Sequence, residues 1–298
     1  MSGEQEKKMK RNNGNIFTGK TIFITGSEKN AGKTTFLNYA LKSLRDGTSP
    51  AFLTIGIDGE TKDAVFGNPK PQVYTKLGDI LVTSELMIAR SSGIFEIREV
   101  FPFRTVLGRL VLLKTQREGF IELVGPEDNC QLSQIISHIK EEEKCKTILI
   151  DGAVNRVTQV AAGIKANFVY VTKINEINFK SGLEKIKKLS ILDKIPKYSE
   201  EKNDAGTWFH KGALTETSFQ SIPADAEAVV IDDFTKIFLS LNRLKGLQSK
   251  KALFFRDVFD LLFIVVNLEG VERDEFLQQL ARNDITDKIV FNPYQQDR

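Results

Sequence analysis

Short runs of β-branched and aromatic residues alternate along most of the chain with stretches whose apolar residues recur at helical spacing. Strands are predicted at residues 21–25, 51–58, 147–151 and 167–172, and helices after residue 32, at 129–144 and at 179–192. The C-terminal third continues in this way, with strands ending near residues 233, 267 and 293. This alternation predicts an α/β fold, in which a mostly parallel sheet is flanked by helices and joined by right-handed crossovers.

Residues 60–145 interrupt the alternation. Proline and glycine at 66–79 predict a loop, and residues 84–91 suit a short helix capped by Thr83 or Ser84. Residues 94–98 alternate as a strand, and residues 106–126 predict two strands joined by a turn at 117–119. We therefore expect a β-rich insertion, the place where a specific substrate or partner would be recognised.

Composition excludes several classes of protein. The chain has 298 residues, a formal net charge of +3 and 41% apolar residues, which is typical of a folded protein with a sizeable core. Its two cysteines, Cys130 and Cys145, form no C-x-x-C pair, and its two histidines, His138 and His210, make a His-centred metal site or triad improbable. Catalysis, if present, must therefore use Lys, Asp, Glu, Thr and backbone amides.

No targeting or membrane segment is predicted. The first fifteen residues are charged and lack an apolar core, and the longest apolar run, at 261–266, is far shorter than the ~20 residues of a membrane helix. The lysine-rich residues 179–192 lack the interleaved aromatic residues of a nucleic-acid surface. We expect a soluble, cytoplasmic protein without a membrane or nucleic-acid partner.

A glycine-rich loop follows the first predicted strand and opens the first predicted helix. Glycines let backbone N–H groups surround a phosphate chain, and the helix N-terminus supplies further donors. In such a loop Lys33 would reach the β- and γ-phosphates, and the Thr34 hydroxyl would ligate Mg²⁺. Ser27 stands where the strict pattern has glycine, and Gly26 lies one position earlier. The predicted nucleotide-binding residues of the loop are Gly26, Ser27, Asn30, Ala31, Gly32, Lys33, Thr34 and Thr35.

Carboxylates follow the next two predicted strands. Asp58 ends the second strand, with Glu60 as a weaker candidate, and Asp151 ends the third. Because ligands of α/β sheets bind at the carboxyl ends of strands, these groups should face the phosphate loop. We predict that Thr34, Asp58 and Asp151 hold Mg²⁺, and that Lys33 and Asp58 are catalytic, with Asp58 orienting the attacking water.

The fourth predicted strand leads into the sequence T-K-I-N at residues 172–175. GTPases place the pattern [NT]-K-x-D after such a strand, where the aspartate binds both N–H groups of guanine. Here Asn175 replaces the aspartate and lacks its charge and its second acceptor. The sequence thus favours adenine over guanine, with Asn175 as a nucleotide-binding residue and ATP and Mg²⁺ as cofactors.

The loop, its helix and the aspartate after the second strand resemble the SIMIBI class of P-loop NTPases, which includes dethiobiotin synthetase and the partitioning ATPases. The resemblance implies a P-loop nucleotide-binding domain and gives Asp58 its role towards Mg²⁺ or water. In the partitioning branch a signature lysine precedes the loop lysine by five residues. Glu28 occupies that position and Lys29 is one residue off, so the lysine mechanism of that branch is not implied.

A second resemblance extends over nearly the whole chain. The segments T-G-S-E-K-N-A-G-K-T-T, G-N-P-K-P, I-L-I-D-G-A, H-K-G-A-L-T and I-D-D-F-T-K-I-F are similar to the reactivase accessory subunits of adenosylcobalamin-dependent lysine 5,6-aminomutase. The resemblance implies a chaperone-like factor that uses ATP to help the mutase exchange damaged cobalamin. It implies a protein partner, the aminomutase or a second reactivase subunit, and leaves a homodimer open.

These patterns predict a disordered tail at 1–15, a P-loop nucleotide-binding domain at 16–203 with an insertion at 60–145, and a C-terminal α/β segment at 204–298. The first functional hypothesis is an ATP hydrolase that remodels a partner enzyme. The alternatives are a small-molecule ligase or kinase similar to dethiobiotin synthetase, or a nucleotide-dependent switch with negligible turnover.

Overall fold

The computed structural model describes residues 10–11, 14–26, 28, 31–45, 47, 49–55, 72–152, 166–199, 206–281 and 285–292. Its strands are β1 (Lys10–Arg11), β2 (Gly14–Asn15), β3 (Thr21–Gly26), β4 (Ala51–Thr54), β5 (Val73–Thr75), β6 (Ile80–Ser84), β7 (Ile94–Thr105), β8 (Gly108–Arg117), β9 (Gly119–Ile121), β10 (Ile148–Asp151), β11 (Ala166–Asn175), β12 (Thr207–Phe209), β13 (Ala228–Ile231), β14 (Ala252–Phe255), β15 (Asp260–Glu269) and β16 (Ile289–Phe291). Its α-helices are α1 (Lys33–Leu44), α2 (Glu85–Ala89), α3 (Asn129–Glu141), α4 (Phe179–Leu192), α5 (Leu241–Gln248) and α6 (Arg273–Leu280). None of these helices is long and apolar enough to cross a membrane.

A nine-stranded sheet runs in the order β16-β15-β11-β3-β10-β4-β6-β8-β7. Its strands from β16 to β6 are parallel, whereas β8 and β7 are antiparallel to their neighbours. Helix α1 packs on β3 and β10 through an apolar face formed by Phe36, Leu37, Ala40, Leu41 and Leu44. The predicted α/β fold with a mostly parallel sheet is therefore confirmed.

Strand β3 lies inside this sheet, between β10 and β11. Its residues from Thr21 to Thr25 are all buried, as expected for a strand covered on both faces. Because β10 and β11 run parallel to β3, their carboxyl ends lie at the same edge of the sheet as the glycine-rich loop. The topology thus brings the ends of β3, β10, β11 and β15 to one edge.

Much of the predicted insertion at 60–145 extends the large sheet, because β6, β8 and β7 continue it beyond β4. The two strands predicted at 106–126 are present as β8 and β9, with the break at Glu118, but they do not pair with each other: β8 pairs with β6 and β7, whereas β9 pairs with β5. The hairpin turn lies instead between β7 and β8, where Gly108 has φ +98°. Gly119 serves a different purpose, since a Cβ there would collide with the backbone of Gly93.

The C-terminal third contributes to two sheets. Strands β12, β13 and β14 form a separate three-stranded parallel sheet with its own apolar cluster, whereas β15 and β16 return to the large sheet. Residues 204–298 therefore contribute strands both to the large sheet and to a sheet of their own. Asp233 caps a short 3₁₀ helix by accepting hydrogen bonds from the Thr235 N–H and hydroxyl, the N-cap role that its place after a strand favours. Of the predicted tail at 1–15, the described residues form the two-stranded pair β1–β2.

Candidate functional site

The loop between β3 and α1 ends in a helix N-terminus without a side-chain cap. Gly32 is the N-cap residue, with φ 101° and ψ 19°, and no acidic residue lies in the first turn. The first N–H groups of a helix have no partner within the helix, and here no side-chain cap takes them either. Together with the helix dipole, these donors favour an anionic group in front of α1.

Lys33 lies back over the end of β3. A Cβ placed on Gly26 would lie 3.0 Å from Cγ and 3.1 Å from Cδ of Lys33, and 3.3 Å from the Cβ of Ala31. The aliphatic stem of the lysine therefore fills the space that a side chain at position 26 would need. Glycine at the end of β3 is what allows the lysine to cross the loop.

Thr34, on the first turn of α1, contacts Asp151, at the end of β10, although 117 residues separate them in sequence. The Thr34 hydroxyl donates to Oδ2 of Asp151 at 3.2 Å. Asp151 ends β10, the parallel neighbour of β3, and is 4% exposed. Its backbone carbonyl accepts from the Thr54 hydroxyl at 3.0 Å and from the Ile55 N–H at 2.8 Å, which ties the end of β10 to β4. A hydroxyl and a carboxylate are thus held together at the start of α1.

Asn267 contacts the same loop and was missed by the sequence analysis. It lies near the end of β15, and its side-chain amide donates to the backbone carbonyl of Ala31. A Cβ on Gly32 would lie 2.5 Å from the amide nitrogen of Asn267, so the loop and this side chain fit together only with glycine there. Oδ1 of Asn267 is buried and has no hydrogen-bond partner in the described part of the chain. The available signal was a polar residue directly after the apolar run 261–266.

Asn175 lies at the same edge of the sheet, but its side chain is used locally. Its Oδ1 accepts from the Asn178 N–H at 3.0 Å, and its own N–H donates to Oδ1 of Asn178 at 2.8 Å. These bonds form the turn that leads from β11 into α4. The oxygen of Asn175 is therefore engaged in a turn, and this bond holds the side chain against the backbone of Asn178. Beside it, Lys173 forms an ion pair with Glu269 of β15 at 2.6 Å.

The structure therefore brings six of the predicted site residues together around the loop: Gly26, Ala31, Gly32, Lys33, Thr34 and Asp151. Thr35 is exposed on the first turn of α1. Predictions for Ser27, Asn30 and Asp58 lie outside the described residues. Within the described ranges, no group of three or more His, Cys, Asp or Glu side chains could hold a metal ion by itself.

An apolar cavity of about 50 Å³ lies elsewhere, between the two sheets. Phe168 and Leu261, near the first residues of β11 and β15, line it together with Phe234 and Phe255. It is therefore at the opposite edge of the large sheet from the loop. The chain matches no protein-family model, no curated protein and no solved structure. A functional assignment consequently depends on the residues of the site.

Proposed function

We propose that this chain binds a magnesium–nucleoside triphosphate, ATP in preference to GTP, at the loop between β3 and α1. The observation that carries the proposal is the hydrogen bond of 3.2 Å between Thr34 and Asp151. A hydroxyl on the first helical turn and a carboxylate on the neighbouring strand are the pair that a phosphate-bound Mg²⁺ uses, one as ligand and one as anchor for a bound water. Thr34 was predicted from the loop sequence, but its contact with Asp151 depends on the tertiary fold.

The other residues of the loop have complementary roles in this proposal. The uncapped N-terminus of α1 and the ammonium of Lys33 offset the charge of the β- and γ-phosphates. Asp58, predicted to follow the second strand, would orient the attacking water. Hydrolysis then needs little covalent chemistry from the protein, because positioning and charge stabilisation supply most of the rate acceleration in phosphoryl transfer.

The base is expected on the side of the loop away from the metal. Thr34 and Asp151 mark the β10 side, so the nucleoside would lie towards β11 and β15, where Asn267 is found. Donation of the Asn267 amide to Ala31 determines which end of that amide is the acceptor. That acceptor, Oδ1, is buried in this structure, so Asn267 is assigned to positioning the loop and not to contacting the base. The proposed preference for adenine therefore depends on Asn175, which replaces the aspartate of the guanine-binding pattern.

Binding measurements test the proposal directly. We would titrate the full chain with a fluorescent ATP analogue, with and without Mg²⁺, and then compete with ATP and GTP. Lys33→Ala should weaken binding at least about tenfold, since charge-assisted contacts to phosphate are the strong ones. The control Lys42→Ala removes an exposed lysine from the same helix and should leave binding unchanged. Thr34→Val should remove the Mg²⁺ dependence and Thr34→Ser should retain it. A wild-type chain that binds no nucleotide refutes the proposal.

For the role of the nucleotide we propose a coupling ATPase that reactivates an adenosylcobalamin-dependent lysine aminomutase. The support for this part is the resemblance of the sequence segments. The test is phosphate release by the full chain, alone and with the intact aminomutase carrying inactivated cobalamin. Stimulation by the mutase, absent in Lys33→Ala, is the expected result. Turnover that requires a small amine or acid, and ignores the mutase, would instead favour the ligase or kinase alternative.

A further inference from the structure

Exposed apolar side chains concentrate at one end of the large sheet. Leu77, Leu86, Val106 and Phe120 are all exposed there, in or near the antiparallel part. Three more lie on strand β7, the last strand of the sheet. Apolar residues exposed singly are common on protein surfaces, so the group that indicates an interaction surface is the one on strand β7.

Strand β7 has the features of a strand that pairs with another chain. With twelve residues it is longer than any other described strand, and in the described structure it pairs on one side only, with β8. The other side consequently presents backbone N–H and C=O groups without a ladder partner in that part of the chain. Ile94, Ile97 and Val100 are 49%, 54% and 42% exposed along it. Pro102 lacks an N–H group and sets a limit to the stretch that could accept a further strand.

The charges around Ile97 are complementary between two antiparallel copies of β7, because Glu96 precedes and Arg98 follows it. If two copies of β7 lie antiparallel with a two-fold axis at Ile97, Glu96 of each copy faces Arg98 of the other, and Ile94 faces Val100. Within one copy, Arg98 already bonds Glu96 at 2.8 Å, so the two side chains lie at the same surface. The ladder between β7 and β8 shifts register at Ile94/Phe95, at Ile97/Glu99 and at Val100/Arg104. The charged side chains beside Ile97, rather than a long regular ladder, would therefore define the register between copies.

We propose that the free edge of β7 is a homodimer interface, at which a second copy of this chain adds its own β7 antiparallel with the two-fold axis at Ile97. The interface is isologous, the commonest symmetry for protein dimers. It joins two nine-stranded sheets into one continuous sheet and covers the exposed apolar residues of β7. The proposal does not depend on nucleotide binding.

Charge reversal tests the register, with sedimentation equilibrium of the full chain as the measurement. The wild type should dimerise reversibly. Glu96→Arg should raise the dimer dissociation constant at least ~10-fold, because it creates two like-charge pairs across the axis and leaves Arg98 bonded to Glu143. The double variant Glu96→Arg with Arg98→Glu should recover most of the wild-type affinity. Ile97→Lys, at an exposed position, should also abolish the dimer by placing two ammonium groups at the axis.

The matched control is Val106→Lys, which changes the most exposed apolar residue of the same hairpin, at 80% exposure. In the proposed register position 106 lies beyond the end of the partner strand, so the dimer should persist. A wild type that stays monomeric at about 100 μM overturns the proposal. A dimer that tolerates both Glu96→Arg and Ile97→Lys overturns it as well, because its interface then lies elsewhere. Circular dichroism melting confirms that each variant is folded.

Discussion

Replacing Gly32 with alanine probes the contact between the phosphate loop and β15. Two costs arise from the structure. A non-glycine residue at φ 101° is strained by about 1–2 kcal/mol. The new Cβ would also lie 2.5 Å from the amide nitrogen of Asn267, which must move and lose its hydrogen bond to Ala31, at about 1 kcal/mol. We therefore expect Gly32→Ala to lower the free energy of unfolding by about 2–3 kcal/mol.

A double-mutant cycle separates these two costs. Asn267→Ala alone should cost about 1 kcal/mol, the lost hydrogen bond. In the double variant that bond is already absent and the steric conflict is gone, so the cost should be close to that of Gly32→Ala alone. The single effects should thus exceed the double effect by about 1 kcal/mol, well above the ~0.3–0.5 kcal/mol within which independent sites add.

Urea unfolding of the four proteins, followed by circular dichroism, is a suitable assay. If the two single changes in unfolding free energy add up to that of the double variant, the reasoning is refuted, because Asn267 then does not contact residue 32. The same proteins can be tested for ATP affinity. Asn267→Ala should weaken the binding of ATP and of GTP to a similar extent, because its amide positions the loop and its oxygen is buried, whereas a loss confined to ATP would show that it contacts the base.

Three other predictions concern the rest of the molecule. Burial raises the pKa of Asp79 in the folded state despite its ion pair with Arg45. The stability that this shift contributes is therefore present below the ordinary pKa of an aspartate, and it is lost as the pH rises through the pKa of the folded state. The unfolding free energy of the wild type relative to Asp79→Asn should accordingly increase from neutral pH to about pH 4, and a flat difference would contradict the shift. Cys130 is exposed, whereas Cys145 is buried and burial raises the pKa of its thiol. Iodoacetamide should therefore modify Cys130 at least about tenfold faster than Cys145 in the native protein, as measured by mass spectrometry. The Lys251 ammonium donates to three backbone carbonyl oxygens beside β13, at 3.0, 3.1 and 2.5 Å. Lys251→Ala should therefore lower the free energy of unfolding by roughly 1–3 kcal/mol in urea unfolding experiments. The control Lys250→Ala, at the exposed neighbouring residue, should leave the free energy of unfolding unchanged.

Features that depend on neighbouring residues were predictable from the sequence. The strand β3, the glycine-rich turn and helix α1 follow one another within 24 residues, and each has a local signature in apolar spacing or glycine content. The bounds of α4, Phe179–Leu192, agree with the prediction for the same reason, since its apolar residues repeat at helical spacing. Asp151 was recognisable because a carboxylate directly follows a buried apolar run.

Features that depend on strand order were not predictable in this way. Residues 106–126 form two strands as expected, but nothing in their own sequence specifies that β8 pairs with β6 and β7 while β9 pairs with β5. The hydrogen bonds between Asn175 and Asn178 are a local exception, because they join residues three apart and the spacing of two asparagines only weakly suggests them. Asn267 was overlooked because its relation to Ala31 spans 236 residues.

By itself, the sequence determined the alternation of strands and helices, the position of the glycine-rich loop and the acidic residue that ends β10, because periodicity and glycine content act over a few residues. The tertiary structure alone decided which of these ends lie side by side. Placing β10 and β11 on either side of β3 sets Asp151 against Thr34, and placing β15 beside β11 brings Asn267 to the loop. Strand order depends on how strands and helices from the whole chain pack their apolar faces into one core. A site built from the ends of strands that are distant in sequence therefore cannot be predicted from local sequence alone.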